Sequence, residues 1–330
     1  MKDSRKVLPD IIRIILTAAV LFHHYQQLTG TFFYRGINFY GGKIYFGYIV
    51  EVFFLMSGFF MVPYIAKIQD KMSFPEFYGK RLIRLIPSMI VSVILYDVFL
   101  YVFVNFADGH IRYPEKISVF GSIITALGMG NWCITKDFEI NAVSWYVSVL
   151  LLCYIVMYVL TFISKKTKIP VAILFLIPMA AGVIRIYGME FSNIPFFNPR
   201  IGRGYIHFFG GLQLGIIFVG LFGKSRKANE IAENKLNGNQ NKVKPGFGYL
   251  LKNAINKIGE ATLDIYLIQL PVLLVFFIIS YYTGLNLVSG KTMLLYAAST
   301  FIIGGLYYFL IGKRIHSWLS KLFTKKKQAV

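Results

Sequence analysis

Residues 10–28 read DIIRIILTAAVLFHHYQQL, and this stretch decides the fold. As an α-helix it would rise about 28 Å, close to the thickness of a bilayer's hydrocarbon core. Arg13, His23 and His24 interrupt an otherwise apolar run, and no small-residue cleavage pattern follows. It therefore reads as a membrane span and not as a cleavable signal.

The same ruler, applied outward, finds seven more spans, near 45–66, 83–104, 142–163, 169–187, 204–223, 262–283 and 292–312. A ninth apolar stretch, ISVFGSIITALGMG at 117–130, is short; it suits a re-entrant or interfacial segment, or a short span. Composition agrees. The chain has 330 residues, 56% hydrophobic, 17% aromatic and only 15% charged, against about 25% charged in soluble domains. That excludes a water-surrounded globule, and so hydrophobic a chain is not intrinsically disordered. The expected fold class is all-α, a polytopic transmembrane helix bundle forming a single domain over 1–330. The one long polar connection, 224–258, contains KANEIAENKLNGNQNKVKPG and reads as a mobile cytoplasmic loop.

Net charge is +20, and its distribution sets the orientation. With the N-terminus inside, cytoplasmic segments carry 25 of the 35 Lys and Arg, outer segments carry 8, and Arg13 and Arg185 lie within spans. Both termini are then expected in the cytoplasm. Basic residues scattered over loops, with no single basic face, exclude a nucleic-acid partner. Cys133 and Cys153 have no metal-like spacing, so no metal site is expected.

Ionisable groups inside a bilayer are expensive and mark function. Arg13 and His24 stand 11 residues apart, about 20° of rotation and about 16 Å of rise, so they share one face of the first helix. His23 falls about 80° off that face. An arginine near a helix end can snorkel to headgroups; a histidine deep in the span is better explained by proton transfer. Glu51, in YFGYIVEVFFLMSGFFMVPYI, comes to a depth similar to that of His24. It is expected either to orient the imidazole or to pair with an Arg or Tyr elsewhere. Ser57-Gly58 offers a close approach to a helix or ligand. Arg81 and Arg84, with Lys80, suit either an anionic ligand or lipid headgroups. Asp97, Arg185, His207 and Asp264 are weaker candidates, each equally suited to a structural pair.

Several of these patterns together resemble the acyltransferase-3 family of membrane proteins, typified by O-acetyltransferases of bacterial surface polysaccharides. Its basic residue, ten residues, then histidine is matched by Arg13 and His24. Its acid, then FF, two residues and SGF, is matched by Glu51, Phe53-Phe54 and Ser57-Gly58-Phe59, with glutamate where aspartate is usual. Arg81, Arg84 and Pro87 match its paired arginines, and Trp145-Tyr146 its Trp-Tyr dipeptide. IGRGYIHFFGGLQLG is similar to its RF-hydrophobic-GxxxG stretch. IGEATLDIYLIQ ends in Gln269 where the family ordinarily has histidine.

The resemblance, running from about residue 8 to residue 312, implies ten helices and a stand-alone member without a fused esterase-like domain. It implies acyl transfer, most often of acetyl, from cytoplasmic acyl-CoA to a hydroxyl of a polysaccharide or lipid-linked glycan, at the cell (plasma or inner) membrane. Acyl-CoA is then a donor substrate and not a permanently bound cofactor. His24 would be general base, with Glu51 and Arg13 completing the catalytic set. Arg81, Arg84 and Arg13 would hold the donor's phosphates, and Ser57, Trp145 and Tyr146 would line the substrate path. The rival reading is a proton-coupled transporter or flippase using Arg13, His24 and Glu51 as a relay, against which the two halves show no internal repeat.

Overall fold

The computed structural model describes residues 7–30, 38–41, 46–107, 109, 117–132, 140–188, 194–237 and 247–328, and all of their side chains except those of 223–237, 247 and 325–328. Cys133, Arg35, Lys43, Arg112, Lys116 and Lys136 lie outside the described residues.

Among the described residues every regular element is helical. The α-helices are α1 (Val7–Thr29), α2 (Ile49–Phe59), α3 (Val62–Asp70), α4 (Phe74–Phe106), α5 (Val119–Ala126), α6 (Trp145–Thr167), α7 (Val171–Val183), α8 (Pro199–Asn237), α9 (Phe247–Thr283), α10 (Gly290–Tyr307) and α11 (Lys313–Gln328). A π turn at Tyr308–Gly312 joins α10 to α11 without a break. With that rod counted once, the described helices number ten. Seven of them are long and apolar enough to cross a membrane, and the bent pair α2–α3 makes an eighth candidate span. The eight stretches read by hydropathy are these eight.

Two elements differ from a plain reading of apolar length. The span expected at 45–66 is broken: α2 and α3 meet at 40°, with Pro63 in the first turn of α3, where a missing N–H costs no helical bond. The 117–130 segment yields only α5, whose eight residues rise about 12 Å and cannot cross. Ser118 caps it by accepting from the Gly121 amide, and Ser122 hangs it on α4 by donating to Asp97 at 2.7 Å. Asp97 is thus an anchor.

The loop expected over 224–258 is corrected. α8 continues to Asn237 and α9 begins at Phe247, so only 238–246 remain, outside the described residues. Ala, Glu, Lys and Leu between 227 and 236 are strong helix formers, and Gly238 and Pro245 bracket the interruption. Low aromatic content marked the segment as polar, which does not make it irregular.

α6 and α9 form the centre; α1, α4 and α10 pack around α9, and α3, α4, α7 and α8 around α6. On α4, Ile90, Ile94, Val98 and Tyr101 are all exposed, an apolar stripe at helical spacing on the outside of the bundle. In a bilayer this is the face that meets lipid. The most extensive pairing, α2 with α8, depends on glycine. A Cβ at Gly58 would collide with the Phe208 carbonyl, and one at Gly211 with the Leu55 carbonyl, so two backbones touch where only hydrogen is present. This close approach locks α2, and with it Glu51 and Ser57, against α8.

Candidate active site

Two cavities lie at the end of the bundle that carries the start of α1 and the α11 helix. The outer one, a mouth of about 970 Å³, is bordered by Asp10 and Arg13 of α1, Lys80 and Arg84 of α4, and Lys313 and His316 of α11. The inner one, about 250 Å³, runs between α1, α2, α4, α6 and α9 and is bordered by Arg13, Thr17, Ser57, Arg81, Arg84 and Tyr146. Arg13, Lys80 and Arg84 border both, which places three cations at the junction. The residues singled out on α1, α2, α4 and α6 therefore converge on one space, although their sequence positions span more than 130 residues.

At the junction Arg13 donates to Asp10 one turn earlier, at 3.1 Å, and lies 5.3 Å from the Phe60 ring. Asp10 is only 1% exposed, so Arg13 is held in position. Arg84 is exposed into the mouth and forms no hydrogen bond or ion pair with another described residue. It is available to an anion. Arg81 differs. Its guanidinium lies over Tyr64 at 3.9 Å and Phe77 at 4.1 Å, donates to the Phe77 carbonyl at 2.9 Å, and approaches the Met61 sulfur at 3.3 Å. It is buried in an aromatic cage along the inner cavity, away from the mouth where the paired-arginine reading put it.

Deeper in, the Ser57 and Tyr146 hydroxyls meet at 3.0 Å, and Phe54 packs against Tyr146 at 4.7 Å. Thr17 also borders this cavity, its hydroxyl buried without a hydrogen-bond partner among the described residues. Trp145, adjacent in sequence to Tyr146, projects elsewhere, because successive helical residues diverge by about 100°. It packs beneath the guanidinia of Arg203 at 4.9 Å and Arg200 at 5.8 Å. The three residues grouped as a substrate path are thus divided: Ser57 and Tyr146 share the inner cavity and Trp145 belongs to a separate cluster.

That cluster settles where Glu51 goes. Arg203 Nε donates to Glu51 Oε1 at 2.5 Å, and Nη2 donates to the Gly47 carbonyl at 3.1 Å. Glu51 is buried, and its second oxygen has no hydrogen-bond partner among the described residues. The contact on the His24 ring comes from another residue: Gln27 Oε1 accepts from His24 Nδ1 at 3.1 Å. An amide oxygen can only accept, so Nδ1 carries the proton and Nε2 is the basic nitrogen. His24 is half-buried and His23 buried; the His23 Nδ1 donates to the Phe39 carbonyl at 2.8 Å and its ring packs on Tyr40 at 5.3 Å. In angle, His24 falls midway between Arg13 and Thr17, about 20° from each, and about 10 Å beyond Thr17 along the axis. It shares the cavity-facing stripe of α1 but borders neither cavity.

The weaker candidates have structural partners. Arg185 donates to the Phe197 carbonyl, His207 to the Arg203 carbonyl one turn back, and Ser88 donates to Asp264 on the mouth wall. Gln269 is fully buried and donates to the Tyr266 carbonyl, so it serves the core of α9.

Two residues that sequence reading missed stand out, Gln27 and Arg203. Gln27 carried a signal, the i+3 position from a candidate base. Arg203 carried one too, since Arg200, Arg203 and His207 recur at helical spacing in RIGRGYIH, although charge distribution alone places Arg203 with the outer-segment cations. A family model described as an acyltransferase domain matches residues 8–232, from α1 through most of α8. Neither a curated protein nor a solved structure shows a match.

Proposed function

The chain belongs to the acyltransferase-3 family, and on that footing we propose that it is an O-acyltransferase moving an acyl group, acetyl in the simplest case, from cytoplasmic acyl-CoA to a hydroxyl of a cell-surface or lipid-linked glycan. The observation that carries this reading is the junction: Arg13 and Arg84 border both a wide mouth and a narrow inner cavity. Such a path suits a donor with a polyphosphate head and a thin acyl-bearing arm. Planar guanidinia match phosphate oxygens in pairs, and Arg84 has no competing partner among the described residues. The excess of Lys and Arg at this end supports placing it in the cytoplasm of a cell-membrane protein.

The arm would extend between Phe60 and Leu263, which also border both cavities, toward the Ser57–Tyr146 pair. His24 lies about 10 Å beyond Thr17 on the same stripe of α1, with the buried Val20 and Leu21 between them, and in this scheme the thioester and the acceptor meet there. The acceptor hydroxyl is too weak an acid to attack unaided at neutral pH. His24 Nε2 takes its proton as the oxygen bonds to the acyl carbon; the carbon–sulfur bond breaks and the CoA sulfur leaves, to be protonated as the free thiol. Gln27 keeps the imidazole in the tautomer that leaves Nε2 basic. Glu51 acts one step away, fixing Arg203 and the α2–α8 contact, and is a positioning residue in this scheme.

Purified protein given acetyl-CoA and a glycan acceptor should release CoA thiol in equal amount to ester formed. Thiol release that ignores the acceptor, or none at all, contradicts the reading.

A further inference from the structure

The mouth has one wall that the scheme above leaves unused. It is formed by the α10–α11 rod, which lies beyond the residues matched to the family. Lys313, His316 and Ser320 stand three and four residues apart, so they line one face of α11, and all three border the mouth. None of them borders the inner cavity, whereas Arg13, Lys80 and Arg84 border both. The cationic groups therefore fall into two sets along one path, one at the junction and one farther out.

The outer set is free to act. Lys313 reaches Glu260 only at 3.5 Å and is 60% exposed, a weak pairing that an anion can replace. Glu260 also accepts from the Tyr308 hydroxyl at 3.3 Å, and Asp264 accepts from Ser88, so both carboxylates of this wall have donors of their own. The His316 ring rests 6.3 Å from that of Tyr308, and its Nε2 is shielded without a hydrogen-bond partner among the described residues. An unmade hydrogen bond at a shielded polar atom is unfavourable, and a small ring rotation toward the mouth would let a phosphate oxygen satisfy it.

We propose that Lys313 and His316 form a second anion subsite, one that takes the ribose 3′-phosphate of the donor nucleotide while Arg84 and Arg13 take its diphosphate. This rests on the acyl-CoA reading. The order follows from the donor's connectivity: the diphosphate leads into the acyl-bearing arm and belongs at the junction, and the monoester hangs from the far end of the nucleotide. A phosphate monoester carries about −1.5 to −2 charges, which an ammonium and the N–H of an imidazole, both compact donors, can meet. The same monoester chemistry occurs on phosphatidic acid at a membrane surface.

The test is calorimetric titration of the full chain, in detergent free of phospholipid, with CoA and with 3′-dephospho-CoA. Wild type should bind CoA about tenfold more tightly. The Lys313→Gln, His316→Gln double variant should bind both ligands alike, at the wild-type affinity for 3′-dephospho-CoA. Equal wild-type affinities would overturn the subsite and leave the donor reading standing; binding of neither ligand would overturn both. A double variant that weakens in step toward both ligands would also overturn the subsite, since its effect would then be general. Short-chain phosphatidic acid supplies the last arm: binding tighter than the CoA preference and lost in the double variant would assign this wall to a lipid headgroup.

Discussion

Gln27 Oε1 accepts a hydrogen bond from His24 Nδ1 at 3.1 Å, one helical turn along α1. The base and its orienting group therefore come from a single rigid helix, and their relation does not depend on how α1 packs against α2. This separates the chemistry of His24 from the structural duty of Glu51.

Replacing Gln27 by Leu should lower kcat about tenfold, the scale of one lost neutral hydrogen bond. The KM for acyl-CoA should stay unchanged, because Gln27 borders neither cavity. Steady-state kinetics on purified variants separate the two parameters, and a rise in KM with intact kcat would contradict the assignment.

Arg84→Ala and Arg81→Ala should behave differently even though the residues are three positions apart. Arg84, free at the junction, should raise the KM for acyl-CoA about tenfold or more with unchanged thermal stability. Arg81, enclosed by Tyr64 and Phe77, should lower the melting temperature, since its loss leaves a void in the cage. Parallel melting curves and donor titrations check both halves.

Arg203→Ala should cost about 2 kcal/mol of stability. A buried pair broken from one side costs about 3–5 kcal/mol, and Arg203 retains 28% side-chain exposure, which reduces the figure. The Arg203→Ala, Glu51→Gln double variant should recover part of the loss because no unpaired carboxylate remains buried. Thermal unfolding in detergent measures this; equal melting temperatures for wild type and Arg203→Ala would contradict it.

The spans were legible in the sequence because their signal is local: about 20 apolar residues per crossing. The Arg13–His24 stripe was legible for the same reason, since one helix fixes both residues by its own period. What failed to show was whatever depended on packing between helices. Glu51 and Arg203 are 152 positions apart, and no periodicity predicts that α8 delivers a guanidinium to α2. Arg81 and Arg84 look alike on α4, and it takes the packing of Met61, Tyr64 on α3 and Tyr154 on α6 to distinguish the caged one from the free one. The extension of α8 to Asn237 was hidden by a different cause, because polarity was read as irregularity although helix propensity argued the other way.

Acyl transfer as proposed depends on the His24 imidazole. The direct measurement is acceptor-dependent thiol release from acetyl-CoA by His24→Ala, set beside wild type at equal folded protein, with CoA affinity measured on the same samples. The predicted result is loss of release by a factor of about 100 or more with CoA binding unchanged. Release at the wild-type rate would contradict the central claim.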